Sequence, residues 1–457
     1  MTAGMDSPPD TGPVGASLTE GLAALLARSV DARLPERVVL HVLDWVGCAI
    51  IGATTPPGRI VAAWGARLGK GDCHAIGVGR LDAASAAFVN GAYGNVLEMD
   101  DIHRTSILHP GPVVIPAALA AADRQAASAC EFLDAVVRGY EAVIRVGRSV
   151  GPGHYRHWHN TSTCGPFGAA AAVASLLRLG RAQTVSALGN AGTQSSGPWQ
   201  CRLEGVMSKQ LHTAAAARAG LTAADLAALG FTGPARILEG PLGFFAATCP
   251  DPDPGAVLAD PDAPWLILET SFKPWPACRH AHPTIDATLA VRDRVPIGAI
   301  DRIVVTTYAD AVTYCDSPAP ATPLEAKFSL QHCVASVLLD GPPDLTAFEP
   351  PALARTDIGA IRRRVSLAAG DPYVSAYPRH YGAEVSVQLT DGRTIRATVA
   401  DALGDPENPM SPQAIEAKAR MLMRAAGLEA GRIDAIVDHV RALAGGGALS
   451  DLTALLP

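Results

Sequence analysis

The sequence predicts a large all-helical domain followed by a smaller α+β domain. From residue 17 to about residue 250, apolar residues recur at helical spacing with almost no strand-like alternation. A Pro- and Asp-rich segment, 250–264, then interrupts the pattern, and short alternating runs typical of strands follow it. With 457 residues, the chain also exceeds the roughly 250–300 residues that one hydrophobic core usually serves, so two domains are expected.

The helical part begins with a capping box. In Ser17-x-x-Glu20, the hydroxyl and the carboxylate can each accept a hydrogen bond from the other residue's backbone N–H. Pro35, which a first helical turn tolerates, opens the next helix, and that helix is predicted to stop near Gly52. Residues 1–16 lack the basic head and apolar stretch of a signal peptide and are predicted to be a flexible tail. Further helices are predicted at 59–68, 83–99, 113–124, 131–150, 167–179 and 209–229, with one short strand at 73–78.

The second part alternates strands and helices. Its clearest element is a hairpin of strands 384–390 and 393–399, because Asp391-Gly392 is a turn dipeptide that tolerates positive φ. Other strands are predicted at 265–270 and 300–307, helices at 282–291 and 325–339, and, after Pro412, helices at 414–426, 433–444 and 449–456. The last helices are expected to pack back on the first domain. The predicted domains are therefore 17–264 (all-helical), 265–405 (α+β) and 406–457 (C-terminal helices).

Composition excludes several classes of protein. Hydrophobic residues make up 48% and charged residues 18%, which argues against disorder. A net charge of −7 without a Lys/Arg-rich run disfavours nucleic acid as a partner, and no uninterrupted apolar run reaches the roughly 18 residues of a membrane helix. Nine cysteines without a Cys-x-x-Cys pair suit reduced thiols, so a cytoplasmic location is expected. The Gly77–Asp82 stretch is an incomplete dinucleotide fingerprint, and nothing downstream supplies the second parallel strand.

The first candidate chemical group lies after the predicted helix 83–99. Asp100 and Asp101 are followed closely by His103 and His109. Two adjacent carboxylates with two nearby imidazoles can supply an acid and a base whose pKa values are pushed apart. The alternative is that both carboxylates bind local backbone groups.

The second candidate group contains His154, His157 and His159. Three histidines in six residues can ligate a metal, and this is the basis of an alternative function, a metal-dependent hydrolase. The spacing matches no common zinc motif, however, so no metal is expected. His154 and His157 are predicted to be surface loop residues, and His159, beside Trp158 at a helix entrance, is the better catalytic candidate.

Lysine is scarce in this chain. Only five of its 37 basic residues are lysines, so a retained lysine suggests a need for its compact charge or its tunable pKa. Lys209 precedes His212 by three residues on one helix face, and Lys273 opens a Pro-rich stretch that runs to His282. Both lysines are candidates for binding an anion, with a solvated surface position as the alternative for each.

Over residues 18–449 the chain resembles the MmgE/PrpD family, which includes 2-methylcitrate dehydratase, cis-aconitate decarboxylase and iminodisuccinate epimerase. The order of the matching stretches along the chain makes the resemblance specific. They are Asp44-Trp45-Val46-Gly47-Cys48, Ala87-Phe88-Val89-Asn90-Gly91, Met99-Asp100-Asp101-Ile102-His103 with His109-Pro110, Gly139-Tyr140-Glu141, His159-Asn160-Thr161, Phe167-Gly168-Ala169-Ala170-Ala171, Gly230-Phe231-Thr232-Gly233-Pro234 and Glu325-Ala326-Lys327-Phe328-Ser329-Leu330.

The resemblance implies a helical domain with a smaller α+β domain, a homodimer, an active site in the cleft between the domains, and no metal or organic cofactor. It places the site near Asp101, His109, His159, Lys209, Lys273 and Cys278. Two positions depart from a pattern that many family members share, with Glu98 in place of Asp and Ile102 in place of Thr. Two others depart from the decarboxylase-like members, with Cys278 in place of a His and His332 in place of a Tyr. These departures weaken the decarboxylase assignment and leave the substrate open.

The resulting prediction is a cofactor-independent lyase, dehydratase-like, that abstracts a proton next to a carboxylate of a small di- or tricarboxylate. Lys209 and Lys273 are predicted to bind carboxylates with Arg104 or Arg279 as auxiliaries, and Asp101 is predicted to orient one imidazole and raise its pKa. His109 and His159 are the predicted acid/base pair. The alternatives are epimerisation or decarboxylation of a dicarboxylate, the metal-dependent hydrolase, and a non-catalytic carboxylate-binding protein. The substrate-binding candidates are Asp100, His103, Arg104, Cys278, Arg279, His282 and His332.

Overall fold

The computed structural model describes residues 16–457, so the tail predicted at 1–16 lies almost entirely outside the described residues. The first half is helical with one small hairpin. Its elements are α1 (Leu18–Leu26), α2 (Leu34–Thr54), α3 (Pro56–Gly65), β1 (Lys70–Ala75), β2 (Gly79–Leu81), α4 (Ala83–Tyr93), α5 (Gly111–Gln125), α6 (Ala129–Gly147), α7 (Pro152–His157), α8 (Asn160–Leu176), α9 (Arg181–Gly192), α10 (Ser208–Ala228) and α11 (Phe244–Thr248).

The predicted capping box is confirmed, because Glu20 N donates to Ser17 Oγ over 3.1 Å and Ser17 N donates to Glu20 Oε2 over 2.7 Å. The predicted helix 83–99 is too long. It ends at Tyr93, where Gly94 forms the C-cap, and the chain continues as an irregular loop to residue 110. That loop carries the candidate carboxylates, so the early end of α4 allows them to turn inward.

Small residues let the helices of the first half approach closely. A Cβ added at Gly168 of α8 would lie 2.9 Å from the Gly139 carbonyl of α6, and one at Gly220 of α10 would lie 2.4 Å from Ala169 Cβ. Since any side chain at these two positions would collide with the neighbouring helix, the Ala- and Gly-rich sequence permits the tight packing of α6, α8 and α10.

Helix α2 is the core helix of this half. By length and composition alone it could cross a membrane, but 78% of its apolar window is buried inside the protein. In the described chain it packs against α4 and α6 and against helices from the C-terminal end.

The second half contains a four-stranded mixed sheet. Its elements are α12 (His282–Arg292), β3 (Ile300–Thr307), α13 (Ala309–Cys315), α14 (Pro323–Lys327), α15 (Leu330–Asp340), α16 (Pro350–Leu353), α17 (Thr356–Arg362), β4 (Val365–Ala369), α18 (Tyr373–Ala376), β5 (Ala383–Leu389) and β6 (Thr394–Val399). The strand order is β4-β3-β5-β6, with β3 parallel to β4 and antiparallel to β5. The predicted hairpin is confirmed as β5 and β6, and its turn residue Gly392 has φ +86°.

Two predictions for this half were wrong. Residues 265–270 form a short 3₁₀ turn, Leu266–Glu269, because the buried Glu141 carboxylate accepts the Leu266 N–H over 2.8 Å instead of a neighbouring strand. The helix predicted at 325–339 is two helices, α14 and α15, since Ser329 caps the second by accepting the His332 N–H over 3.0 Å.

The Pro- and Asp-rich segment 250–264, whose composition predicts a linker, is fastened to α6. Arg148 Nε donates to the Ala256 carbonyl and Arg145 Nη1 to the Ala259 carbonyl, each over 2.7 Å. The structure therefore fixes this segment against the helical half rather than leaving it as a free connection.

The final helices return to the first half. They are α19 (Pro412–Ala425), α20 (Ala430–Ala442) and α21 (Leu449–Leu455). Lys418 of α19 contacts Asp44 of α2 over 2.6 Å, and Ala419 and Met423 belong to the same hydrophobic core as Leu22. The α+β half thus lies, in sequence, between two parts of one helical core.

Candidate active site

Two lysines distant in sequence meet on one carboxylate. Lys209, in the first turn of α10, donates to Glu98 Oε1, and Lys273 Nζ lies 3.4 Å from Glu98 Oε2 and 3.9 Å from Asp100 Oδ1. A backbone bridge between Ile102 and Ser271 holds the Lys273 segment against this loop. Lys209 and Lys273, which we call the lysine pair from here on, lower the pKa of Glu98 to about 2 although burial alone would raise it.

His109 is held by Asp100. Asp100 Oδ2 accepts from His109 Nδ1 over 2.8 Å, and Asn95 Nδ2 donates to both Asp100 oxygens over 2.8 Å. Burial opposes ionisation of Asp100, but the hydrogen bond from His109 and the charge of Lys273 outweigh it and lower the pKa of Asp100. Burial also lowers the pKa of His109, an effect that Asp100 partly offsets, and this favours the neutral imidazole whose Nδ1–H donates to Asp100. Its Nε2 is then free to accept a proton.

Asp101 does not have its predicted role of orienting a catalytic imidazole. Its Oδ2 accepts from Tyr140 Oη over 2.6 Å and from His41 Nδ1 over 2.8 Å, and its Oδ1 accepts from Gly111 N over 2.9 Å. Burial raises the pKa of Asp101 to about 6. Asp101 therefore ties the loop to α2, α5 and α6, and it is its neighbour Asp100 that contacts His109.

His159 lies across from His109. It caps α8, its ring stacks on Trp199 at 4.2 Å, and its Nδ1 lies 3.1 Å from His212 Nδ1. The two imidazole centres of His109 and His159 are 6.4 Å apart. Burial, reinforced by the charge of Lys209, holds the pKa of His159 well below its usual value, so this imidazole is also neutral. The structure thus places the two histidines predicted as acid and base close to each other.

Internal carboxylates already occupy the two candidate arginines. Arg104 lies 3.2 Å from Asp405, which Arg279 also contacts, and 2.7 Å from Glu407. Arg104 further pairs with Asp401 over 3.1 Å. These ion pairs hold the 401–407 loop in place.

Three candidate histidines make structural contacts away from the lysine pair. His103 Nδ1 lies 2.7 Å from Ser106 Oγ, His282 Nε2 lies 3.1 Å from the Ala277 carbonyl, and His332 Nε2 lies 2.7 Å from the Ala347 carbonyl. A hydrogen bond from Cys315 lowers the pKa of the Cys278 thiol, and the charge of Lys273 also lowers it. Burial lowers the pKa of His282, and the charge of Lys273 helps to lower it as well.

The histidines of the possible metal site do not converge. His154 is buried rather than on the surface as predicted, with its Nδ1 2.9 Å from the Thr248 carbonyl and its Nε2 2.8 Å from Thr163 Oγ1, while His157 is exposed. Among residues 16–457, a group spaced to share an ion is His380, Asp401 and Glu407. Arg104 already neutralises both of those carboxylates.

Sequence reasoning missed two residues of the site. Glu98 appeared only as a departure from the family pattern, yet it binds the lysine pair from a left-handed backbone conformation with φ +58°. Lys327 is buried, donates to the Leu97 carbonyl over 3.2 Å, and has its pKa lowered by burial to about 8. The scarcity of lysine is the sequence signal that could have identified Lys327 as a site residue. In the structure, only Lys70 of the five lysines is exposed.

Comparison with known proteins agrees with this architecture. The MmgE/PrpD N-terminal domain profile matches residues 16–256, and the MmgE/PrpD C-terminal domain profile matches residues 275–442. A "Cis-aconitate decarboxylase-like protein oryM" from Aspergillus oryzae is 28% identical over 99% of this chain and 98% of its own length. "Cis-aconitate decarboxylase" from Homo sapiens is 26% identical over 88% of this chain and 87% of its own length, and that from Aspergillus terreus is 26% identical over 97% and 95%. The chain belongs to the MmgE/PrpD family.

Proposed function

We propose that the protein is a cofactor-independent lyase that abstracts a proton next to a carboxylate of a small di- or tricarboxylate. The observation that carries the proposal is the lysine pair on Glu98 beside the two neutral histidines His109 and His159. Two of the relatives are named cis-aconitate decarboxylase. Since cis-aconitate is a tricarboxylate, these names support the proposed substrate class.

The charge balance of the site favours an anion. Lys209, Lys273 and Lys327 bring three positive charges, and Glu98 and Asp100 bring two negative ones. A substrate carboxylate that displaces Glu98 from the lysine pair gains both ammonium groups without moving the backbone that carries them. Preorganised cations of this kind also stabilise the negative charge that develops when a proton leaves the neighbouring carbon.

His109 is the base in this mechanism. Its Nε2 accepts the proton while Asp100 stabilises the imidazolium that forms, because the Asp100 carboxylate is already in contact with Nδ1. In a dehydration the electron pair of the broken C–H bond forms the double bond, and the hydroxyl leaves as water after receiving a proton from His159. Bound substrate supplies negative charge next to His159, which raises its pKa and favours the protonated form that this step needs.

Decarboxylation is the second candidate, favoured by the relatives' names. Here the C–C bond breaks, carbon dioxide leaves, and the electron pair remaining on carbon takes a proton from an imidazole. Epimerisation would use His109 and His159 on opposite faces of one carbon. The same residues serve all three reactions, so the product distinguishes them.

The test combines ligand screening with product analysis. Citrate, methylcitrate, the aconitates, tartrate and iminodisuccinate are screened by thermal shift, and each hit is followed by NMR in deuterated water. Deuterium at the carbon next to a carboxylate would support proton abstraction, and an alkene, carbon dioxide or inverted centre would identify the reaction. Lys209→Ala and His159→Ala should each lower kcat/KM by at least about 100-fold, with the exposed Lys70→Ala as the matched control.

Other outcomes would overturn the proposal. Activity close to wild type in both variants would remove the lysine pair and His159 from the mechanism. Tight carboxylate binding without turnover would support a binding protein instead. Stoichiometric zinc or iron by elemental analysis, with activity lost to a chelator, would support a hydrolase. The expected homodimer and cytoplasmic location stay proposals, which size-exclusion chromatography with light scattering and cell fractionation test.

A further inference from the structure

Arg202 lies where the two halves of the protein meet. It ends a short 3₁₀ turn, Trp199–Arg202, just before α10. Its guanidinium carbon is 4.4 Å from the ring centre of Tyr314, in α13, 5.3 Å from that of Trp199, and 5.8 Å from that of Tyr155. Aromatic rings from both halves therefore fix the guanidinium by cation–π contacts and leave its N–H groups to other partners.

The described part of the chain supplies no counter-charge for Arg202. Within residues 16–457 it forms no ion pair, and its Nη1 is buried without a hydrogen-bond partner. Arg104 and Arg279, in contrast, are both neutralised by Asp405. Because guanidinium N–H groups are strong donors, a buried one without a partner is a position that a ligand oxygen can fill.

Arg202 is also close to the proposed chemistry. Trp199 contacts both the Arg202 guanidinium and the ring of His159, so one indole separates the two. Burial and then the charge of Arg202 lower the pKa of His280 to about 3, and Arg202 contributes to the low pKa of His159. Arg202 and Trp199 further line a cavity of about 670 Å³ that extends to Arg156 and Trp158, so a ligand has space beside them.

We propose that Arg202 binds a second substrate carboxylate, distal to the one that the lysine pair binds, and so selects dicarboxylates and tricarboxylates over monocarboxylates. This inference rests on the proposed function, because it uses the same site and the same substrate class. The planar fork of arginine accepts a carboxylate through two parallel hydrogen bonds, which suits recognition at the end of a substrate away from the reacting carbon.

The experiment measures dissociation constants by calorimetry for two matched pairs of acids, glutarate with butyrate and succinate with propionate. In each pair the second acid is the first with one carboxylate removed. The wild-type protein is expected to prefer the dicarboxylate by about 10-fold or more in at least one pair, the usual effect of a charge-assisted contact. In Arg202→Gln the preference should fall to within about twofold while monocarboxylate binding changes by less than about twofold. Arg202→Lys, which keeps the charge but loses the fork, should retain part of the preference.

Two controls separate this inference from the proposed function. Lys209→Met should weaken both members of a pair. Arg202→Gln loses its cation–π contacts but no described ion pair, so its melting temperature should fall by no more than about 4 °C. An Arg202→Gln protein that keeps the wild-type preference overturns the inference and leaves the proposed function standing. A wild-type protein that binds none of the four acids, or binds both members of each pair equally well, likewise overturns the inference. A Lys209→Met variant that binds the acids as wild type does overturns the role of the lysine pair, and with it the proposed function.

Discussion

Replacing Lys418 with methionine should destabilise the protein strongly and in a pH-dependent way. Lys418 Nζ lies 2.6 Å from Asp44 Oδ1, and the side chains of the two residues are only 4% and 2% exposed. The Lys418→Met substitution keeps most of the side-chain volume but leaves the Asp44 carboxylate buried without its counter-charge. Breaking a buried ion pair in this way typically costs about 3–5 kcal/mol.

The size of the shift in melting temperature follows from chain length. Unfolding entropy of about 2.1 cal/mol/K per residue amounts to about 1 kcal/mol/K for the 457 residues of this chain. A loss of about 3–5 kcal/mol therefore lowers the melting temperature by about 3–5 °C if the whole chain unfolds together.

The loss should be larger at pH 8 than at pH 5. Burial raises the pKa of Asp44 to about 6 even with Lys418 beside it, whereas an Asp in an unfolded chain has a pKa near 3.9. Without Lys418 the folded-state pKa rises further, so the folded variant binds the proton more tightly than the unfolded chain does. Its free energy of unfolding must then fall as the pH rises through that range, which leaves less stability at pH 8.

Scanning calorimetry at the two pH values measures both effects. The exposed Lys70→Met is the matched control and should melt as wild type does. The double variant Asp44→Asn/Lys418→Met removes both charges and should recover part of the loss at pH 8. A Lys418→Met protein that melts within 1 °C of wild type at pH 8, or that loses more stability at pH 5, would refute this account of the ion pair.

Three further predictions concern the loop around the site. In a plot of kcat/KM against pH, Asp100→Asn should shift the fall in activity on the acid side to lower pH. The Asp100 charge raises the pKa of His109 against the effect of burial, so removing that charge lowers this pKa; an unchanged profile would show that another group controls the acid side. Gly111→Ala should lower the melting temperature by about 1–3 °C in thermal-shift assays, since its Cβ would lie 2.6 Å from Asp101 Oδ1. A variant as stable as wild type would show that the loop moves to accommodate the methyl group. Arg104→Leu should lower the melting temperature by about 2–5 °C while KM stays within about twofold, because three acidic side chains each lose one ion pair and only Asp405 keeps an arginine partner, Arg279. Unchanged stability with a large rise in KM would instead place Arg104 in substrate binding.

The elements that sequence predicted well are those specified locally. The capping box at Ser17 and the turn at Gly392 depend on residues within a few positions of each other, and both are confirmed. The strand predicted at 265–270 failed because the Leu266 N–H is accepted by Glu141, 125 positions earlier in the chain. Periodicity cannot detect a competitor that only the tertiary fold brings into contact.

The candidate site shows the same division. Scarcity of lysine identified Lys209 and Lys273, which the structure brings together on one carboxylate. Sequence could not tell which of the neighbours Asp100 and Asp101 faces His109, because the difference depends on partners supplied by other helices. For Arg104, likewise, the partners lie about 300 residues further along the chain, so its neutralisation was invisible in its local sequence.

The return of the C-terminal helices to the first core has a consequence for the order of folding during synthesis. Residues of α19 to α21, including Met423, Ile436 and Leu452, complete the core that begins with Leu22. The sheet of the α+β half uses only residues 300–399, so all of its strands have been synthesised before those helices exist. During synthesis, domains usually fold in the order in which they occur along the chain. In this protein the α+β domain can fold first, because the helical domain cannot complete its core until the last helices have been synthesised.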